Sequence, residues 1–232
     1  MTLKVGINGF GRIGRMILRS IIEQNRKDLE IVAINNRSNA ETSIFLLVND
    51  TIHGKLKSKI SHSEKTINID GKKINMIQEN EISKIDWKKY KVNIVLECTG
   101  KFNTKEKSSQ HINSGANKVI VSAPCKGAKN IIYGVNEKNL MSSDQVISAA
   151  SCTTNCLASV AQTLNEDFGI ERGFMTTIHS YTTDQRLLDN SHKDLRRARS
   201  APNSMVPTTT GATKSLGDII PRQCHQEILW LL

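Results

Sequence analysis

Apolar positions change their period repeatedly along the first half of the chain. Leu3 to Asn8 is a short apolar, β-rich run. Arg12 to Glu23 then places Ile13, Met16, Ile17 and Ile21 at helical spacing. Glu30 to Asn35 reads as a second strand and Glu41 to Val48 as a short helix. Lys57 to Ile60, Thr66 to Ile69 and Lys73 to Ile77 read as a polar hairpin region turned by Asp70-Gly71. Asn93 to Cys98 is a buried strand, Lys105 to Asn113 a polar helix and Lys118 to Ser122 another strand. Strands and helices alternating in this way predict an α/β domain with a doubly wound, mostly parallel sheet.

The texture changes near residue 150. Leu157 to Leu164 has a helical apolar period, and Arg172 to Ser180 reads as a strand ending at a histidine. Residues 184–210 form a long irregular stretch rich in Arg, Ser, Asn, Thr and Pro. A loop of that length is uncommon in a compact domain unless it serves a function. Internal repeats and low-complexity tracts are absent.

Two constellations carry chemistry. Gly9-Phe10-Gly11-Arg12-Ile13-Gly14 lies directly after a strand and opens a helix, the context a dinucleotide fingerprint requires. The first glycine permits the turn, the second lets backbone approach a pyrophosphate, and the third lets helix and strand pack closely. The second strand ends in Asn36-Arg37, where a carboxylate for the ribose hydroxyls is expected. An amide followed by arginine suits a 2′-phosphate better, which leaves NAD and NADP both open. The other constellation is Ser151-Cys152-Thr153-Thr154-Asn155-Cys156 followed by Thr177-Ile178-His179-Ser180-Tyr181-Thr182. Cys152 falls at a helix N-terminus, where the dipole and free N–H groups favour a thiolate. His179 supplies a base, and the flanking hydroxyl residues suit an anionic substrate. A reactive thiol beside a bound nicotinamide means aldehyde oxidation through a thioester.

Composition narrows the setting. The 232 residues hold 32 Lys and Arg against 22 Asp and Glu, a net charge of +10. The positive residues are scattered, which does not make nucleic-acid binding the main role; compositional bias, or attraction of phosphorylated small molecules, accounts for them. Five cysteines without a C-x-x-C pair suggest neither a disulfide framework nor a metal site, so a cytoplasmic protein without a membrane span is expected.

Together V-G-I-N-G-F-G-R-I-G-R (5–15), E-C-T-G (97–100), V-S-A-P (121–124), S-A-A-S-C-T-T-N-C (148–156), T-T-I-H-S-Y-T (176–182), H-K-D-L-R-R-A-R (192–199) and P-T-T-T-G-A (207–212) make the chain resemble phosphorylating glyceraldehyde-3-phosphate dehydrogenases. The resemblance implies a Rossmann-type dinucleotide domain over residues 1–150 and an incomplete α+β substrate domain over 151–221. It further implies a cytoplasmic homotetramer that takes glyceraldehyde 3-phosphate, inorganic phosphate and NAD to 1,3-bisphosphoglycerate. Residue by residue, Cys152 matches the nucleophile and His179 the base. Ser151, Thr153, Thr182, Arg199, Thr210 and Gly211 match positions that hold the two phosphates. Gly9, Gly11, Arg12, Ile13 and Gly14 match the cofactor-phosphate turn, Asn36 and Arg37 the adenosine ribose position, and Thr99 and Ser122 positions near the second ribose and nicotinamide.

The pattern departs at Asn36, where the family has an aspartate, at Asn80, where it has an arginine, and after Pro221. The chain therefore reads as C-terminally truncated, with residues 222–232 as a non-family tail and turnover impaired. Erythrose-4-phosphate dehydrogenase, a relative with similar motifs, is the near alternative; a non-catalytic dinucleotide- or RNA-binding module is the distant one. Outside these motifs, His53, His62 and His111 read as surface residues, Cys98 as core, Cys125 as loop and Cys156 as a packed neighbour of Cys152. Trp87 carries no assignable chemistry.

Overall fold

The computed structural model describes residues 2–171 and 173–220, with residues 213 and 214 described by their backbone alone. The chain divides into two compact units, Met1–Ser151 and Cys152–Leu232.

Among the described residues the first unit is built on a nine-stranded sheet and a two-stranded ribbon. In chain order, β1 (Leu3–Asn8), α1 (Arg12–Glu23), β2 (Leu29–Asn35) and α2 (Ala40–Val48) are followed by a two-strand ribbon, β3 (Asn49–Asp50) and β4 (Gly54–Lys55). Then come β5 (Ile60–Ser63), β6 (Thr66–Ile69), β7 (Lys72–Ile77), β8 (Ile94–Glu97), α3 (Lys105–Ser108), α4 (Gln110–Asn113), β9 (Lys118–Val121), β10 (Lys129–Asn130) and β11 (Val146–Ser148). The large sheet has the order β10-β11-β9-β8-β1-β2-β7-β6-β5. Pairing is parallel from β10 to β7 and antiparallel for β7-β6-β5. The connection from β1 goes to β2 on one side, and the chain returns to β8 on the other. The order therefore reverses at β1, and in such sheets ligands bind at the carboxyl ends of the strands around that switch.

The central strands are apolar because both faces are covered. Val5, Ile7, Ile31, Ile34 and Leu47 pack with the hairpin residues Ile67, Ile69 and Ile74 on one side. Val32, Ala33, Trp87, Val92 and Val95 form the cluster on the other.

Three expectations about the elements change. The polar helix expected over Lys105 to Asn113 is broken at Ser109 into α3 and α4. The first hairpin strand lies at Ile60–Ser63 rather than Lys57 to Ile60, because Glu64 and Lys65 turn Thr66–Ile69 back onto it, while Asp70 and Gly71 turn the next strand, with Ile69 opposite Lys72. The strand expected over Arg172 to Ser180 is absent from its described part, 173–180. A strand exists only through a neighbour's hydrogen bonds, and among the described residues none pairs with this segment. The second unit instead carries α5 (Cys152–Phe168) and α6 (Ala212–Ile219), which pack together through Ala158, Ala161, Leu216 and Ile219 as the buried positions. The tail expected over 222–232 lies outside the described residues.

Candidate functional site

The loop after β1 has the geometry its glycines call for. Gly9 adopts φ +93°, and a Cβ there would sit 2.8 Å from the Thr99 backbone nitrogen. A Cβ on Gly14 would lie 2.3 Å from the Gly9 carbonyl oxygen, so this position holds helix and loop in contact. Gly11 is different, since a Cβ there meets nothing within 4 Å. No contact among the described residues demands glycine at 11, and the space beside it is open to a ligand's close approach. Gly11 caps α1 without any side-chain hydrogen bond to the first-turn N–H groups. A helix start left open in this way is an anion site. The loop therefore fits the pyrophosphate of a dinucleotide. Ile13 is half exposed beside it, and the Arg12 guanidinium bonds the Asp50 carboxylate. Hydrogen bonds from the His53 and Ile52 backbone, then Arg12, hold the Asp50 carboxyl down at about 2 against the cost of its burial.

Asn36 does not merely stand in for a carboxylate. Its Oδ1 lies 3.4 Å from the Phe10 N–H and its Nδ2 donates to Ser43 Oγ at 3.2 Å, so its amide braces the glycine loop against α2. Exposed Arg37 lines an open depression of about 490 Å³ with Gln78 and Asn80. A cation and two amides there, without a carboxylate among them, suit a phosphate monoester.

At the end of β8, Thr99 donates its backbone N–H to Glu97 Oε1 at 2.7 Å and its hydroxyl to the same oxygen. Ser122 donates its backbone N–H to the Glu97 carbonyl at 3.0 Å. His111 belongs here rather than on the surface. It is fully buried, with Nε2 3.0 Å from Glu97 Oε2 and Nδ1 accepting from Trp87 Nε1 at 2.9 Å. Its neighbours in sequence are polar, but Trp87 and Glu97 close over it. Cys125 is likewise buried, although it stands in a loop.

In the second unit, Cys152 opens α5 and its Sγ lies 3.2 Å from His179 Nε2. His179 Nδ1 is 2.5 Å from the Ser180 carbonyl oxygen. A carbonyl only accepts, so Nδ1 carries a proton and Nε2 faces the sulfur. Partial burial works against ionising Cys152, but the bond from His179, the bond from Thr153 and the imidazole charge outweigh it and hold the thiol below its ordinary range. The Ser180 carbonyl and the Cys152 sulfur hold the imidazole above its own. Both shifts favour a thiolate–imidazolium pair, and the helix dipole acts in the same direction. Cys98 is pushed the opposite way, up to about 11, by burial, and burial raises Cys125 too. Cys156 is exposed rather than packed. Among the described residues there is no group of side chains suited to a metal ion, and no helix is long and apolar enough to cross a membrane.

The remaining expected substrate residues have other partners. Thr182 bonds Gln185 through both its N–H (2.6 Å) and its hydroxyl (3.0 Å). The Arg199 guanidinium is exposed and pairs with Asp189 at 2.6 Å. Thr210 Oγ1 accepts from the Ala212 N–H at 3.3 Å, and Gly211 caps α6. Thr153 Oγ1 is 4.0 Å from the Cys152 sulfur, and Ser151 precedes it at the end of the first unit. Arg197, which the sequence left open between a solvated charge run, anion contacts and a subunit interface, organises the threonine segment. It bonds Thr208 Oγ1 at 2.8 Å and the Thr209 carbonyl at 2.7 Å, and pairs with Asp184. Asn8, Asn35 and Glu97 were not singled out in the sequence, although each is a polar residue that ends a strand directly after an apolar one.

Residues 3–105 match the family model described as glyceraldehyde 3-phosphate dehydrogenase, NAD binding domain, and residues 151–226 match the C-terminal domain of the same family. The chain is 49% identical to the glyceraldehyde-3-phosphate dehydrogenase of Cereibacter sphaeroides over 222 residues, covering 95% of this chain and 66% of the relative. It is 50% identical to that of Streptomyces coelicolor over 224 residues, with 96% and 66% covered. Against glyceraldehyde-3-phosphate dehydrogenase 2 of Streptomyces avermitilis it is 50% identical, with 96% and 67% covered. The chain thus spans about two thirds of the length of these relatives.

Proposed function

The chain belongs to the glyceraldehyde 3-phosphate dehydrogenase family, and from that premise we propose that it oxidises D-glyceraldehyde 3-phosphate with inorganic phosphate to 1,3-bisphosphoglycerate through a thioester on Cys152. The observation that supports this reading is the 3.2 Å approach of Cys152 Sγ to His179 Nε2 at the head of α5. The Cys152 thiolate attacks the aldehyde carbon, and the oxyanion so formed takes hydrogen bonds from N–H groups at the helix start and the Nε2 proton of the His179 imidazolium, giving the hemithioacetal. His179 removes the hydroxyl proton from that adduct while Nδ1 stays bonded to the Ser180 carbonyl. The dinucleotide, when bound, accepts the hydride that the adduct carbon gives up. Inorganic phosphate then attacks the thioester carbonyl and the Cys152 thiolate leaves, with His179 holding the proton as an acid. Ser151, Thr153, Thr182, Arg199, Thr210 and Gly211 bind the substrate phosphate and the attacking phosphate. Gly9, Gly11, Arg12, Ile13, Gly14, Asn36, Arg37, Thr99 and Ser122 hold the dinucleotide. The working form is a cytoplasmic homotetramer in glycolysis or gluconeogenesis.

NAD is the cofactor, and NADP is admitted with weak discrimination. Asn36 removes both a ribose acceptor and the charge that repels a 2′-phosphate, while Arg37, Gln78 and Asn80 surround space for that group. Binding titrations should place NAD and NADP within about a factor of 100, the scale of ~1–3 kcal/mol for hydrogen bonds to charged groups. An NAD preference of several thousandfold contradicts this. For the reaction, a burst of 340 nm absorbance stoichiometric with Cys152 is expected from glyceraldehyde 3-phosphate and NAD, followed by release of acyl phosphate only when phosphate is added. The absence of any burst from a chain whose Cys152 is intact, or an equal burst from Cys152→Ser, overturns the reading.

A further inference from the structure

A buried chain of polar side chains crosses the carboxyl ends of the three strands that meet at the topological switch. Asn8, Asn35 and Glu97 end β1, β2 and β8, and each is buried. Asn35 Nδ2 donates to Asn8 Oδ1 at 2.7 Å, and Asn8 Nδ2 donates to Glu97 Oε2 at 2.5 Å. Each residue also reaches into the loop that would meet the dinucleotide. Asn8 runs directly into Gly9. Asn35 clasps the backbone of Glu79, its Oδ1 accepting from N–H at 2.8 Å and its Nδ2 donating to the carbonyl at 2.9 Å. That fixes the segment of Gln78 and Asn80 opposite Arg37. Glu97 holds Thr99 by both N–H and hydroxyl.

The hydrogen-bond directions leave little freedom. An indole N–H only donates, so Trp87 makes His111 Nδ1 an acceptor, and the imidazole proton sits on Nε2 and is donated to Glu97 Oε2. The Asn8 Nδ2 to His111 Nε2 distance of 3.4 Å is then an approach of two donors to a shared acceptor. Glu97 thus faces four donors and no acceptor: Asn8 Nδ2, His111 Nε2, and the N–H and O–H of Thr99. It accepts on both oxygens as a carboxylate, without a cation.

We infer that Glu97 is a positioning residue for the dinucleotide, holding the Thr99 turn and the glycine loop in the binding arrangement, with His111 orienting its carboxylate from behind. This rests on the dinucleotide reading above. The Gln variant shows why. Its amide offers one acceptor and one donor where the site requires two acceptors. Turned either way, its NH2 meets a fixed donor, the Thr99 backbone N–H or the Asn8–His111 pair. Glu97 is tied most directly to Thr99, on the nicotinamide side, so NAD should feel the change more than AMP, which lacks that half.

The test is calorimetric titration of the 232-residue chain with NAD and with AMP, in the parent, Glu97→Gln, His111→Leu and His111→Gln. Glu97→Gln is expected to weaken NAD about tenfold and AMP less than threefold. His111→Leu should show the same split, and His111→Gln, which keeps an N–H toward Glu97, should restore NAD to within about threefold of the parent. Equal loss of NAD and AMP, or no loss of NAD, overturns the inference. If Glu97→Gln does not fold by circular dichroism, the His111 pair decides on the same criteria. A parent chain that binds neither ligand overturns the dinucleotide reading itself, an outcome distinct from a parent that binds and a variant that does not differ.

Discussion

The two units treat their apolar residues differently. In residues 1–151 the strands pair with one another and bury Ile7, Ile34, Ile67, Trp87 and Val95 almost completely. In the described part of the second unit the buried apolar set is Ala158, Ala161, Ala212, Leu216 and Ile219, while Phe174, Ile178, Leu187, Leu188, Leu195 and Met205 are exposed. Yet the second unit holds the better-defined reacting pair, Cys152 with His179. The contrast teaches that a reactive geometry needs only a helix start and one well-placed loop. A core instead requires strands whose ladders close. Burial of apolar area supplies most of the stability, so the first unit should dominate unfolding.

The sharpest way to break that contrast is truncation of one large side chain in each unit. Trp87→Ala is expected to cost ~4 kcal/mol, as for other fully buried aromatic residues, and Leu187→Ala less than ~0.5 kcal/mol. Urea unfolding followed by far-ultraviolet circular dichroism measures both, and similar costs would erase the distinction. A second, smaller effect concerns the thiols. Iodoacetamide should label Cys152 first, with a rate that rises through a midpoint lower than that of an ordinary thiol. Cys98 should stay unlabelled until the pH approaches its raised value of about 11. His179→Ala should slow Cys152 labelling about tenfold at neutral pH, equivalent to ~1.4 kcal/mol. Peptide mapping that finds Cys98 or Cys125 labelled ahead of Cys152 removes the thiol from its proposed role.

An effect confined to acid pH sharpens the first unit's side of the contrast. Asp50 titrates at about 2 in the folded chain and near 3.9 when unfolded, so its stabilisation is complete above the unfolded value. It is lost as pH falls through about 2. Asp50→Asn should flatten the acid limb of the unfolding curve between those values, and an unchanged limb would assign acid sensitivity elsewhere.

Much of this was legible in the residues. The run from Leu3 to Glu23 shows strand, glycine turn and helix in one stretch, because each signal there is local. Cys152 was legible for the same reason, since the helix that activates it begins at the cysteine itself. His111 was misread because its environment comes from Trp87 and Glu97, residues distant in sequence, while its immediate neighbours are polar. Ser109 interrupts the expected helix without glycine or proline to announce it. The segment 173–180 has strand composition, but composition does not supply a neighbour to pair with.

The three glycines of the first loop have a genetic consequence. Alanine at 14 would collide with the Gly9 carbonyl oxygen at 2.3 Å, and such an allele should be recovered as misfolded protein. Alanine at 11 meets no atom of the described residues, so it should leave abundance and solubility untouched while abolishing ligand occupancy. One motif therefore yields both a null allele and a separation-of-function allele, a pair with which loss of the polypeptide can be told apart in a cell from loss of its bound nucleotide.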